Sequence, residues 1–302
     1  MDINKTQLEV LAKEEPKKFK RKSQLEMIWI RYKKNKLALF GLAVFLIIVI
    51  VSISTPLFID YRTQVIKQNI MDKFQTSSAA HILGTDQFGR DILCRLLWGA
   101  RYSILCGLGV MVLSLSVGAV LGASAGYFGG VYDQIIMRVL DVFFAIPMTL
   151  MAISIVAAFG NSIPNLIVAI SLGQIPKMTR IIRSSVITLK DQDFIEAARA
   201  CDTKKSRIIF KHILPNAMGT LIVEGTLTMG KSIILIAGLS FIGMGIQPPA
   251  PEWGAMLSEA KNYMLNYPYL MYAPGIAIVL TALSITLIGD GLRDALDPKM
   301  KN

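Results

Sequence analysis

The chain carries several uninterrupted apolar stretches, each close to the length of a bilayer crossing, and this property removes most folds from consideration. A helical span needs roughly 20 predominantly apolar residues, because in hydrocarbon every backbone amide must be satisfied within its own segment. Such runs occupy 37–59, 103–127, 139–159, 216–245 and 272–288. A shorter run at 165–176 continues into Lys177, Arg180 and Arg183, three cations at helical spacing, and reads as a span whose basic end leaves the bilayer. With 53% hydrophobic residues bunched in this way, a soluble fold is excluded. The expectation is an all-α membrane protein with six transmembrane helices.

The formal net charge of +11 would suggest nucleic acid if its distribution were ignored. Instead the cations collect before the first span, from Lys13 to Lys36, and around 177–211. By the positive-inside rule both regions are cytoplasmic, and six spans then place the N- and C-termini on that side as well. Arg62, Lys67, Lys73, Arg90, Arg95 and Arg101 fall in a segment assigned outside, which a long loop tolerates. Residues 1–36 read as a basic cytoplasmic tail that meets anionic lipid, with an interfacial helix around 24–33. The apolar run that follows exceeds a signal-peptide core, so no cleavable leader is expected. Cys94, Cys106 and Cys201 are odd in number and lack ligand spacing; with only His81 and His212 beside them, no metal site is expected.

Between two long apolar runs lies a polar, basic island at 191–216, DQDFIEAARACDTKKSRIIFKHILPN. Asp193 with Glu196 three residues later predicts a helix start in which the first side chain caps and the second reaches back. The short helix carries Ala197, Ala198 and Ala200, small residues suited to a groove on another protein, flanked by Glu196 and Arg199. After a turn at Asp202, a second piece from Lys204 to Leu214 is expected to stop at Pro215, with Asn216 capping the next helix.

The 60–102 segment, read as extracytoplasmic, contains LGTDQFGRD. Gly84 and Gly89 permit tight turns, and Asp86, Arg90, Asp91 and Arg95 stand at spacings that allow pairing. A calcium loop is excluded because its ligand pattern and closing Glu are missing. Gly118, Gly122 and Gly126 form a stripe for close helix approach, and Arg138 with Asp141 suggests a local ion pair. Residues 225–232, GTLTMGKS, fit the phosphate-loop expression, but they sit inside an apolar run with no acidic strand end nearby, which argues against nucleotide binding. Glu224 and Lys231, charged and seven residues apart in that run, read as lining a translocation path or meeting a second subunit. Pro248, Pro249 and Pro251 end the span outside, within a loop at 246–271, where 258–264 predicts a short helix and Trp253, Tyr263, Tyr267 and Tyr269 an interfacial belt.

Three motif groups in order resemble one family. Glu196-Ala197-Ala198 with Leu214-Pro215 is similar to the EAA loop of ABC importer permeases, and His212 to Asn216 resembles the peptide/nickel branch. LGTDxxGRD, continued through Arg95, Gly99, Arg101 and Ser103, and the LSFIGMG and QPPAPEWG stretches resemble the same branch. Asp202 departs from the family's usual Gly.

The resemblance implies a type I ABC importer permease fold, with a core at 103–298 and a short tail at 299–302, in a bacterial plasma membrane. It implies an oligopeptide or dipeptide importer in which this chain is one half of a heterodimeric path, with nickel or a metal chelate as the alternative solute. Partners implied are a homologous permease, two cytoplasmic ATPases that hold ATP and magnesium, and an extracytoplasmic solute-binding protein. No catalytic residue and no cofactor is expected in this chain. Coupling to the ATPases falls by resemblance on Glu196, Ala197, Ala198, Arg199, Ala200, Asp202, Leu214 and Pro215. Gly84, Asp86, Gly89, Arg90, Asp91, Arg95 and Arg101 are assigned to shaping the outer gate. An ATPase acting through GTLTMGKS, and a channel or carrier working without ATPases, remain the readings from other classes.

Overall fold

The computed structural model describes residues 24–296; residues 1–23 of the basic tail and residues 297–302, which include the 299–302 tail, lie outside the described residues. The described residues are mostly helical; the longest non-helical stretch, 73–91, carries one isolated antiparallel bridge between Thr85 and Asp91.

Helix α1, Gln24–Tyr32, lies against the C-terminal end of the last helix, where Arg31 donates to the Ala295 carbonyl. Asn35 then caps α2, Lys36–Phe58, by accepting from the Ala38 amide at 3.1 Å. Much of α2 is exposed and apolar, as a helix facing lipid requires, and at Gly41 it approaches Leu287 and Ser284 closely.

Helix α3, Ile92–Phe128, starts well before the expected Ser103, because Asp91 accepts from the Cys94 amide and caps it there. Its 37 residues extend about 55 Å, longer than the hydrocarbon, so the helix reaches beyond the bilayer. The run at 139–159 is not one helix. It divides into α4, Gly130–Ala145, and α5, Met148–Phe159, bent by 85°. Pro147 is the cause: it lacks an amide hydrogen and holds Ile146 extended at φ −87°, ψ 126°.

Helix α6, Ile163–Leu189, is capped by Ser162 and packs along α3. The glycine stripe forms that interface. A Cβ on Gly118 would stand 2.6 Å from the Met178 Cβ, and one on Gly126 2.9 Å from the Arg183 carbonyl oxygen. Helix α7, Asp193–Ala200, is followed by α8, Lys205–Arg207, a π-helical stretch Ile208–Ile213, and α9, Leu214–Phe241.

Pro215 does not end a helix. Lys205–Phe241 runs on as one 37-residue element. The wider π turn just before Pro215 gives its ring room and absorbs the missing hydrogen bond. Asn216 does not cap; its side chain donates back to the His212 carbonyl at 2.6 Å.

Helix α10 is Trp253–Ala260, earlier than the expected 258–264, because Glu252 caps it by accepting from the Ala255 amide at 2.9 Å. Helix α11, Tyr269–Leu296, completes the fold.

Among the described residues four helices are long and apolar enough to cross a membrane, and the bent α4–α5 pair makes a fifth candidate. Helix α6 falls short by composition, since Lys177, Arg180 and Arg183 interrupt its apolar sequence.

Candidate functional site

Helix α7 has one fully buried side chain. Ile195, fully buried, packs with Ile182 and Val186 of α6 and with Ile208, Ile209 and Ile213 of the π stretch. Glu196, Ala197 and Ala200 face outward, exposed, and Ala198 is half-buried. The cap differs from expectation: Gln192 occupies that position without a side-chain bond, and Asp193 begins the helix. In its first turn Asp193 and Glu196 complement the helix dipole instead. Arg199 stacks 5.6 Å from the Tyr127 ring at the end of α3 and donates to the Lys190 carbonyl, so it fixes the helix in place from within the chain.

The helix ends in a two-bond left-handed stop. The Thr203 amide donates to the Ala198 carbonyl at 3.1 Å and the Asp202 amide to that of Arg199 at 3.0 Å. Asp202 accordingly has φ 51°, the conformation for which glycine is better suited. Leu214 is half-buried and Pro215 exposed on the helix that leads back into the bundle.

Each cation of α6 has an acid. Lys177 meets Glu224 of α9 at 3.0 Å, Arg180 meets Asp141 at 2.6 Å, and Arg183 grips Asp133 through two bonds of 2.5 Å. Asp141 therefore pairs with Arg180 and not with Arg138, and Glu224 pairs inside this chain rather than standing free. The ladder ties α4 and α9 to α6, and neutralises charge where ionisable groups are costly. Lys231 is exposed and has no ion pair among the described residues.

Residues 225–232 lie within the continuous α9, so their amides are spent in the helix and cannot cradle phosphate. Thr228 and Ser232 are buried, and Gly230 gives close approach to α11 at Ala282 and Thr286.

On the opposite end the LGTDQFGRD segment folds into a turn whose centre is charged and buried. Asp86 accepts from the Phe88 and Arg90 amides and pairs with the Arg90 Nε at 2.6 Å. Glu259 of α10, which sequence reasoning missed, receives Arg90 at 2.9 Å and Arg95 at 2.6 Å. The two guanidiniums, 2% and 1% exposed, are balanced by two carboxylates. Asp91 joins neither arginine; it pairs with His81 at 2.8 Å and caps α3. Arg101 also lies apart, stacked 4.9 Å from the Trp98 ring.

Gly84 and Gly89 have φ of 79° and 71°, and in each the position of a side chain is filled by a neighbouring backbone carbonyl. Phe74 stacks on Tyr267 at 4.2 Å, and the Tyr269 hydroxyl donates to the Thr85 carbonyl at 3.2 Å. Trp253 is buried and donates to the Leu96 carbonyl at 2.9 Å. Tyr263 packs 5.0 Å from the Phe74 ring, so all four rings make ties within the chain, and Trp253 is too buried to stand at a membrane interface. In the same cap the Asp60 carboxyl is held below its usual range by the hydroxyl and amide of Thr63, and burial first, then Tyr102, pushes the Tyr61 phenol up to about 12.

Glu259 did leave one signal: it follows Glu252 by a heptad in a short helix ahead of the last span. Glu252 itself is buried as the α10 cap and accepts from Ser103 at 3.2 Å.

With four or five candidate spans, a short helix displayed at one end of the bundle and a buried charged turn at the other, the described residues have the fold of a multi-pass helical membrane protein. The chain belongs to the family of binding-protein-dependent transport system inner membrane components, which matches residues 118–302, and residues 23–76 match the N-terminal transmembrane domain of oligopeptide transport permease C.

A dipeptide transport system permease protein of Alkalihalophilus pseudofirmus is 43% identical over 270 residues, covering 89% of this chain and 88% of that one. A glutathione transport system permease protein of Pectobacterium atrosepticum is 45% identical over 225 residues, covering 74% and 75%. A di/tripeptide transport system permease protein of Pseudomonas aeruginosa is 39% identical over 284 residues, covering 93% and 94%. Among solved structures, an inward-facing form of the MetNI methionine ABC transporter has a TM-score of 0.55 at 17% identity, over 68% of this chain and 98% of that one, which supports the ABC transporter permease fold. The chain is an inner-membrane permease of an ABC importer, and ATP hydrolysis resides in partner subunits. By family, those partners are an ATPase, a second permease and a binding protein.

Proposed function

We propose that this permease imports short peptides, pairing with one homologous permease and two ATPases that bind ATP and magnesium, and receiving its solute from an extracytoplasmic binding protein. The observation that carries the solute class is the naming of its relatives: dipeptide, di/tripeptide and glutathione permeases at 39–45% identity along most of the chain.

In this reading the chain crosses the membrane six times, α6 counting as a span because its cations are paired, and both termini face the cytoplasm. Helix α7 is the lever. An ATPase receives exposed Glu196, Ala197 and Ala200 in a groove. Closure of the ATPases moves α7, and the Ile195 anchor passes the motion to α6 and, through the π stretch and Pro215, to α9. The outer turn around Arg90 and Arg95 stays closed as a rigid frame for the gate. Glu224 and Lys231 line the path.

The test is uptake of labelled dialanine by the complete importer, with Ala197→Cys crosslinking to the ATPase. Expected are ATP-dependent uptake and a crosslink from the cytoplasmic side. Labelling of Ala197→Cys only from outside, or uptake that persists without ATP, would overturn the reading.

A further inference from the structure

Helix α9 presents one face that is neither packed nor apolar throughout. Thr220, Glu224, Leu227, Lys231, Ile234 and Gly238 alternate at spacings of four and three, which sets them along one side of a helix. Thr220, Lys231, Ile234 and Gly238 are exposed there. Lys177 of α6 borders the face by its bond to Glu224, and α11 borders it where Gly289 closes on Leu227.

Lys231 stands ten residues inside the outer end of the helix at Phe241, about 15 Å along the axis. That is near the middle of a hydrocarbon core about 30 Å thick. At this depth a lysine stem does not carry its ammonium to the headgroups, so the charge must meet water or an anion. Within the described residues no acid pairs with it, and the acid on its own face, Glu224, is already held by Lys177. The face therefore carries an uncompensated positive charge at mid-depth.

We infer that Lys231 contacts the transported solute, its ammonium receiving the carboxylate of a peptide in transit. This rests on the peptide-importer reading above. A free peptide is a zwitterion whose carboxylate is the group an exposed ammonium attracts, while its own ammonium is repelled. Contact through a single flexible lysine, with water beside it, holds the solute loosely enough to let it leave, as conduction requires.

The test uses the complete importer in ATP-loaded proteoliposomes with saturating binding protein and labelled dialanine. Lys231→Met is expected to slow uptake about tenfold, the worth of one charge-assisted hydrogen bond. Lys231→Arg is expected to retain most of the rate, and the second permease to co-purify with each variant as with the unaltered chain.

In a chain carrying Cys94→Ser, Cys106→Ala and Cys201→Ser, Lys231→Cys should regain uptake on reaction with aminoethyl methanethiosulfonate and not with methyl methanethiosulfonate. Undiminished uptake by Lys231→Met, rescue by both reagents or neither, or no reaction at the cysteine would overturn the inference. Loss of the second permease from Lys231→Met would assign the ammonium to a carboxylate of that subunit and overturn it too. Absence of ATP-dependent dialanine uptake by the unaltered importer would instead sink the peptide reading, and this inference with it.

Discussion

Arg95 and Glu259 are separated by 164 residues and meet at 2.6 Å in a site from which solvent is almost excluded. The same carboxylate takes Arg90, so a single acid on α10 joins the LGTDQFGRD turn to the segment before the last span. A buried pair of this kind is weak evidence for net stability, but removing one partner strands the other charge.

Glu259→Ala should accordingly destabilise the protein by about 3–5 kcal/mol, because Asp86 alone remains to balance two buried guanidiniums. Replacing Arg95 by Met and Glu259 by Leu together should recover part of that loss. Thermal unfolding of the detergent-solubilised chain measures both. Equal damage from the single and the double substitution would mean that charge is not what holds the turn.

Asp202→Gly should stabilise the stop after α7 by about 1 kcal/mol, since φ 51° is strained for a residue with a Cβ and open to glycine. Hydrogen exchange at the Thr203 amide, which closes the turn onto Ala198, should slow in the variant. Asp202→Val should speed it.

The glycine stripe gives a sharper test of packing. On Gly122 a Cβ would lie 2.5 Å from the Thr179 carbonyl oxygen and 3.0 Å from the Arg183 amide nitrogen, both backbone atoms that cannot step aside. Gly122→Val should therefore separate α3 from α6 and cost at least about 1–3 kcal/mol. Gly129→Ala meets no neighbour in space, although its φ of 65° still strains it, and should cost less. Comparing the melting temperatures of the two variants separates steric overlap from backbone strain.

What could be read from sequence follows which forces are local. Long apolar runs, the glycine spacing of α3 and the left-handed demand at Asp202 are properties of short stretches, and each was legible. Helix starts were legible only in part. The capping acids Asp91 and Glu252 each follow turn residues and set the true beginnings of α3 and α10, yet both were hidden by the attention that apolar runs attract.

Long-range charge pairing was not legible. Spacing on one helix offers Arg138 to Asp141 and leaves Glu224 alone, and only the fold brings Arg180 and Lys177 across from α6. The same holds at the outer turn. Four charges within ten residues suggest a self-contained network, while half of its neutralisation comes from Glu259.

Helix α4 depends on such distant pairs more than any other long helix described. Leu140 is its one buried residue, and its apolar side chains are otherwise turned outward or half-exposed. What holds it to α6 are the two bonds from Arg183 to Asp133 and the bond from Arg180 to Asp141, the latter supported by the Arg180 guanidinium 4.5 Å from the Phe144 ring. Asp133→Asn together with Asp141→Asn keeps size and removes both charges. Such a variant should loosen the segment from Gly129 to Pro147 while leaving α3 and α6 protected, because their glycine contacts are untouched. Hydrogen exchange on the reconstituted chain should show faster exchange confined to α4, larger for Asp133→Asn, whose partner is bidentate, than for Asp141→Asn, whose pair is the more exposed. Unchanged exchange along α4 would mean that lipid or another subunit, and not the ladder, keeps the helix in place.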